Sequence, residues 1–431
     1  MRAKSIQVNP ARHLRGEINV PGDKSITHRA LILSSLAKGG SVIKGMGGGL
    51  DCLATQKIIK RMGVVIEEGE DLFVQGRGIH GLEEPGDALG CGNSATTMRL
   101  LAGLLAGQSF YSVLSGDRFL RERPMSRVTE PLTMMGAKIW GRKRGHFPPL
   151  SILGSPLEGI RYSLPIPSAQ VKSSLILAGL YAEGETCITE PYQSRDHTER
   201  MLKFLGLPIE RDDLTVRVKK LTSFPGRKIS VPGDISSAAF FIGGAAILEG
   251  SHLRVSSVGL NPTRMGFIDA LRQMGADIEV HLEGKRSGEE YGEIEVRGRR
   301  SLEATTIEGG MIPRLIDEIP IVAVVSCFAE GQTIIKDARE LRVKETDRIR
   351  AITTELRRMG AEVEEREDGM IIKGRGYLKG AECRSYNDHR MAMALTMAGL
   401  CAEGRTKIRG SDCIDTSFPG FWTTLEGILI E

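Results

Sequence analysis

Val20–Ser25 reads VPGDKS and Val231–Ser236 reads VPGDIS, two copies of one word 211 residues apart (231 − 20). In each copy a short run rich in β-branched residues (EINV, KISV) stops at a Pro-Gly turn. The Asp and Ser that follow are residue types that accept hydrogen bonds from the unpaired N–H groups of a helix start. The word therefore predicts a strand end followed by a helix start, used twice. Its one differing letter sets Lys24 against Ile235, which raises the question whether the word is a structural device used twice or a functional site duplicated.

Working outward from these words, a longer repeat appears. SSLAKGGSVIKG, GLLAGQSFYSV, GLYAEGETCITE, AAILEGSHLRVS, SCFAEGQTIIKD and GLCAEGRTKIRG each place a helix of small residues before a glycine and a short strand. Gly39, Gly107, Gly184, Gly250, Gly331 and Gly404 are expected to end these helices as left-handed C′ residues, where a Cβ would be strained. A second element, an amphipathic helix running into a glycine and a strand, recurs at IIKRMGVVIEE, PLTMMGAKIW, MLKFLGLPIE, ALRQMGADIEV and ELRRMGAEVEE; the sixth unit lacks a clear copy. Spacings of 66 to 81 residues are too long for a solenoid repeat and suit modules of two helices and several strands. Six modules in 431 residues predict an α/β protein of two domains, three modules each. The boundaries then fall at the two words, giving residues 21–231 as one domain and 1–20 with 232–431 as the other, with hinges near 20–22 and 231–234.

Composition narrows the function. The charge sum of 58 − 54 = +4 is too small and too dispersed for a polyanion partner, and 5% aromatics offer no base-stacking platform, so nucleic-acid binding is not expected. The N-terminus has no apolar segment of signal-peptide length and no later run approaches a membrane span, which predicts a cytoplasmic protein. The seven cysteines form no CxxC pair or Cys/His cluster and are read as reduced, mostly buried thiols; no metal is expected.

Unusual polar residues gather at the starts of the small-residue helices: GDKSITHRA, GCGNSATTMR, PSAQVKSS, GDISSAAF, LIDEIP and YNDHRMAMA. Helix N-termini with added cations suit phosphate and carboxylate groups. Lys24, Arg29, Arg99, Arg123, Lys172, Arg195, Lys344, Arg348 and Arg390 supply more cation than capping needs. The bland readings are definite too. Ser25, Asn93 and Ser168 are by default N-caps, Asp317 is a capping carboxylate, and RVKETDRIR is a salt-laced helix face. GCGNSA follows no buried strand, as a dinucleotide fingerprint requires, GDKS lacks the earlier P-loop glycine, and GMGGG at Gly45–Gly49 reads as a flexible turn.

Taken in order along nearly the whole chain, VPGDKSITHRALILSSLA, GNSATTMRLLAG, LSGDRFLRERPM, PSAQVKSSLILAGL, SRDHTERM, LIDEIP, LRVKETDRI and YNDHRMAMAL resemble the 3-phosphoshikimate 1-carboxyvinyltransferase (5-enolpyruvylshikimate-3-phosphate synthase) family. The resemblance implies two inside-out α/β domains, each of three similar βαβαββ-type modules, with the active site in an interdomain cleft that closes on substrate. It implies transfer of the enolpyruvyl group of phosphoenolpyruvate to the 5-hydroxyl of shikimate 3-phosphate with release of phosphate, a step toward chorismate and the aromatic amino acids. No cofactor or metal is implied, the partners are these two small substrates, and a monomer is expected.

By motif, the resemblance implies that Lys24 contacts phosphoenolpyruvate and the reacting hydroxyl, while Ser25 and Arg29 hold the shikimate carboxylate. Ser168, the Ala169 backbone and Arg195 take the 3-phosphate, and Gln170 lies against the ring. Arg123, Arg348 and Arg390 clamp phosphoenolpyruvate, with Asn93, Ala95 and Lys344 also lining the site. Asp317 receives the 5-hydroxyl proton, and Glu345 with Lys24 protonates C3. Many family members carry Gly where this chain has Ala95, and Ala there accompanies tolerance of the inhibitor glyphosate; Glu340 and Thr416 depart from the family pattern and are assigned no contact. The rival acceptor is UDP-N-acetylglucosamine, but the reactive Cys of that related transferase is missing between Leu114 and Met125.

Overall fold

The segment His13–Asn19 is a strand because Leu14 and Ile18 point to one buried face while their neighbours are exposed. It runs parallel to His252–Gly259, with Leu253 opposite Gly16 and Val255 opposite Ile18. Past the Pro21-Gly22 turn the chain enters the helix Lys24–Leu36, whose first turn is capped by Asp23 accepting from Ile26 N at 2.9 Å. The second word repeats the device. Lys228–Ser230 pairs parallel with Lys38–Lys44, and Asp234 accepts from Ser236 N at 2.9 Å at the start of Ile235–Ile247.

The computed structural model describes residues 4–299 and 301–430. They divide into two units: Gly22–Pro232 with Lys285–Glu289, and the segment ending at Pro21 with Gly233–Gly284 and the segment beginning at Glu290. In both words the strand therefore belongs to one unit and the helix after it to the other. Asp23 N–H donates to Pro232 C=O and Asp234 N–H donates to Pro21 C=O, both at 2.8 Å.

Four of the small sheets share one topology, in which a first strand runs parallel to the second and the second pairs antiparallel with the last strand of a following hairpin. In the Gly22–Pro232 unit these sheets are built on Lys38–Lys44, Tyr111–Ser115 and Glu185–Thr189, and in the other unit on Gln332–Ile335. The sheet on His252–Gly259 follows the pattern and gains Leu429–Ile430. In the last module Ser5–Val8 replaces the hairpin, pairing antiparallel with Thr406–Arg409. The sixth copy of the second element does exist, as the short helix Phe421–Glu426 before Leu429–Ile430. It escapes the sequence pattern because its Gly427 follows Glu426, where the other copies have Met or Leu, and Gly427 keeps a right-handed φ of −67°.

In each unit the small-residue helices form the interior. Every residue from Ile26 to Leu36, from Ile235 to Ala246 and from His389 to Leu400 is buried, so these helices are enclosed on all faces. Small side chains permit this, since a Cβ on Gly103 would lie 2.1 Å from Ser174 C=O on the facing helix. The helix-stopping glycines are not the six expected. Gly39, Gly184, Gly250, Gly331 and Gly404 do have positive φ, but each lies beyond the cap of its helix, in or close to a following strand. The left-handed stops are the glycines of the second element, Gly63, Gly136, Gly206, Gly275 and Gly360. Gly107 keeps φ −91° and is required for space, because a Cβ there would meet the Tyr181 ring at 2.4 Å. Nor is GMGGG a loose turn: Gly47 N donates to Thr27 Oγ1 at 3.0 Å, and a Cβ on Gly22 would clash with Gly45 C=O at 1.8 Å. All seven cysteines are free, and only Cys401 is not fully buried.

Candidate functional site

In the Gly22–Pro232 unit the polar residues collect at the starts of three inner helices. Lys24 opens Lys24–Leu36, and its Nζ lies 2.9 Å from Asp51 Oδ2. One turn on, Arg29 is buried and donates three hydrogen bonds: Nε to Thr198 Oγ1 at 2.6 Å, Nη1 to Ser25 C=O at 2.7 Å and Nη2 to Ser173 Oγ at 2.7 Å. Burial lowers its pKa to about 10, opposed by Glu199, Asp23 and Glu289, so it stays charged at neutral pH. Ser168 caps Ala169–Gly179 by accepting from Val171 N. Beside it Gln170 accepts from Arg99 Nη1 at 2.6 Å and donates to Thr96 Oγ1 at 2.8 Å, which sets its amide between two helix starts. Arg195 is half-buried and adds positive field at Arg29.

Several expectations shift here. Ser25 and Asn93 are not caps; Asp23 and Ser94 take those roles, and Asn93 donates from Nδ2 to Asp117 Oδ2 at 2.9 Å. Asp117 also accepts from Phe119 N and Leu120 N, which shapes the turn leading to buried Arg123. Ala95 is the buried first residue of Ala95–Ala106. Lys172 belongs to no anion site, since it is wholly buried with Nζ 2.6 Å from both Glu190 and Glu199. Burial opposes its charge, yet the two carboxylates raise its pKa.

In the other unit the centre is Asp317, just before the start of Ile319–Ser326. It is not a cap. Three cations surround its carboxylate: Arg348 Nη1 at 3.1 Å, Lys344 Nζ at 3.5 Å and Arg390 Nη2 at 3.6 Å. RVKETDRIR does not form one helix face either. The helix begins at Arg348 with Asp347 as its cap, and the turn before it carries Lys344 and Glu345 inward. Arg348 is 1% exposed and spans Asp388 (2.8 Å), Glu345 (2.6 Å) and Asp317. Burial works against its charge, but these carboxylates hold its pKa above the ordinary arginine range. Lys344 is pushed below the usual lysine range by burial, although Asp317 and Glu340 pull the other way. An amine that gives up its proton more readily beside a carboxylate is suited to proton exchange.

Asp388 and Asp51 are among the carboxylates of these clusters that went unassigned in the sequence. Asp388 caps His389–Leu400 and also pairs with Arg348; its place before a helix start was the available signal. Asp51 lies 27 residues from Lys24 (51 − 24) on another helix and leaves no local trace. Among the described residues, only Glu279, His281 and Glu295 bring three metal-ligand atoms within 4.8 Å. Two of the three are exposed, and Glu295 is already paired with His252 and Arg297, which reads as surface ion pairing.

Two units of repeated α/β modules, with buried cations gathered at inner-helix starts and a carboxylate ringed by three cations in one of them, define an enolpyruvyl transferase fold. Residues 8–425 match the family described as EPSP synthase (3-phosphoshikimate 1-carboxyvinyltransferase), and the chain belongs to that family. It is 51% identical to the 3-phosphoshikimate 1-carboxyvinyltransferase of Desulforamulus reducens, covering 98% of this chain and 99% of that one, and 52% identical to that of Citrifermentans bemidjiense, covering 98% of both. The solved EPSP synthase of Acinetobacter baumannii superimposes with a TM-score of 0.88 at 42% identity, covering 99% of this chain and 98% of that one.

Proposed function

We infer that this chain transfers the enolpyruvyl group of phosphoenolpyruvate to the 5-hydroxyl of shikimate 3-phosphate, releasing phosphate, and that both clusters serve this one reaction. The observation that carries the reading is Asp317, a carboxylate set among Lys344, Arg348 and Arg390 in a chain matched to the family over residues 8–425. In the proposed chemistry Asp317 takes the proton of the 5-hydroxyl as its oxygen bonds to C2. A proton reaches C3 from Lys24 or Glu345, giving a tetrahedral adduct. Loss of a C3 proton and of phosphate then restores the double bond, and the same groups act in reverse order. Lys24, Arg123, Lys344, Arg348 and Arg390 offset the negative charge of phosphoenolpyruvate. Ser25, Arg29, Ser168, Ala169, Gln170 and Arg195 hold the acceptor, and Asn93 lines the site with Ala95.

The finer reading is a cytoplasmic monomer with weak sensitivity to glyphosate. The weak sensitivity rests on the Ala95 methyl, which sits at a buried helix start and should crowd the longer inhibitor before it crowds phosphoenolpyruvate. Ala95→Gly should lower the inhibition constant for glyphosate, and equal constants in the two proteins would refute this. UDP-N-acetylglucosamine is the disfavoured acceptor. Phosphate release should require shikimate 3-phosphate, and turnover with UDP-N-acetylglucosamine alone would overturn the assignment.

A further inference from the structure

The strands Asp277–Arg286 and Glu289–Arg297 form a hairpin whose tip, Lys285–Glu289, groups with the Gly22–Pro232 unit, while most of both arms group with the other. Ser287 and Gly288 both have positive φ, 50° and 89°, the requirement of a tight two-residue hairpin turn. Serine is unfavourable there relative to Asn or Gly, and its hydroxyl has a specific use: Ser287 Oγ accepts from Ser230 N at 2.8 Å. Gly288 C=O accepts from Arg200 Nη1 at 3.3 Å, and a Cβ on Gly288 would lie 2.9 Å from Arg200 C=O. Glu289 then places Oε1 2.8 Å from His197 Nδ1, with both side chains 2% exposed.

A buried carboxylate is costly without such a partner, and the position of this pair connects it to the substrate-binding cluster. His197 is the first residue of the helix His197–Leu205. Its neighbour Thr198 accepts from Arg29 Nε at 2.6 Å and shares a 2.7 Å hydrogen bond with Ser173 Oγ, which in turn accepts from Arg29 Nη2. Two residues before His197 stands Arg195. The hairpin tip thus bears on one of the helix turns that hold Arg29, the one that supplies Thr198.

We propose that Glu289 and His197 are positioning residues for the acceptor: by docking the Lys285–Glu289 tip on the start of His197–Leu205, they hold Arg29 and Arg195 in register for the carboxylate and phosphate of shikimate 3-phosphate. This rests on the assignment of Arg29 and Arg195 to the acceptor. The test is steady-state kinetics of the full chain with both substrates varied, comparing Glu289→Gln, Glu289→Asp, Ser287→Ala and Arg29→Lys. Glu289→Gln should raise KM for shikimate 3-phosphate roughly tenfold, with KM for phosphoenolpyruvate and kcat changed by no more than about twofold. Glu289→Asp, which keeps the charge, should recover part of the loss. Ser287→Ala removes only the tie to Ser230 and should give the same split at smaller amplitude, which keeps the test open if Glu289→Gln fails to fold. An unchanged KM for shikimate 3-phosphate in folded Glu289→Gln, or a uniform fall in activity with both KM values unmoved, would overturn the proposal. Arg29→Lys separates the two layers: if it leaves acceptor KM unchanged, the assignment of Arg29 fails, whereas a raised KM there with none in Glu289→Gln rejects the positioning role alone.

Discussion

Acid should destabilise the Gly22–Pro232 unit through one imidazole. His28 is fully buried in Lys24–Leu36, with Nδ1 2.8 Å from Thr55 Oγ1 and no partner for Nε2 among the described residues. Burial first, then Lys24 and Arg29, push its pKa from 6.5 down to about 3, with Asp23 opposing. The unfolded chain therefore binds a proton near pH 6.5 that the folded chain refuses until about pH 3. Stability is complete above pH 6.5 and is lost as the pH falls through this window, at about 1.4 kcal/mol per pH unit. Between about pH 7.5 and 4.5 the loss is about 3 kcal/mol, a large share of a typical domain's ~5–15 kcal/mol. His28→Gln keeps a polar group toward Thr55 and cannot titrate. Urea unfolding followed by circular dichroism at a series of pH values should show the variant gaining about 3 kcal/mol relative to the parent across that range, with the carboxylate contributions cancelling. Parallel stability curves would refute the reasoning.

Asp317→Asn should lower kcat by about 10²–10⁴-fold, the range for removing a general base, and a kcat near that of the parent would exclude the role given to Asp317. Lys172→Met should leave Glu190 and Glu199 buried without their cation and cost about 3–5 kcal/mol in urea unfolding. A loss of catalysis at unchanged stability would instead place Lys172 in the site.

The repeated modules and the strand-to-helix turn of each word were legible because they rest on local chemistry: a Pro-Gly-Asp turn, a cap and an apolar period. The six glycines were misplaced because positive φ serves strand starts as well as helix ends, and Gly107 is set by the Tyr181 ring, which lies 74 residues away (181 − 107). The sixth module hid its second element because its helix is short and its glycine follows Glu426, where the other copies have Met or Leu. Among the cations, Lys172 and Arg29 look alike in sequence, both one turn into an inner helix; only the facing side chains separate them, carboxylates for Lys172 and hydroxyls with a carbonyl for Arg29. Asp388 was within reach as a cap, but its pairing with Arg348 depends on a helix 40 residues earlier (388 − 348). The hairpin tip at Lys285–Glu289 carries no motif, because its meaning lies in the helix it meets.

The central claim, enolpyruvyl transfer by addition and elimination, is tested most directly by running the reaction with shikimate 3-phosphate and phosphoenolpyruvate in D₂O and examining the product by NMR. Protonation of C3 followed by loss of a C3 proton predicts deuterium in the vinylic methylene of the product, together with released phosphate. A product whose methylene carries no deuterium, or no product from this pair of substrates, would contradict the account.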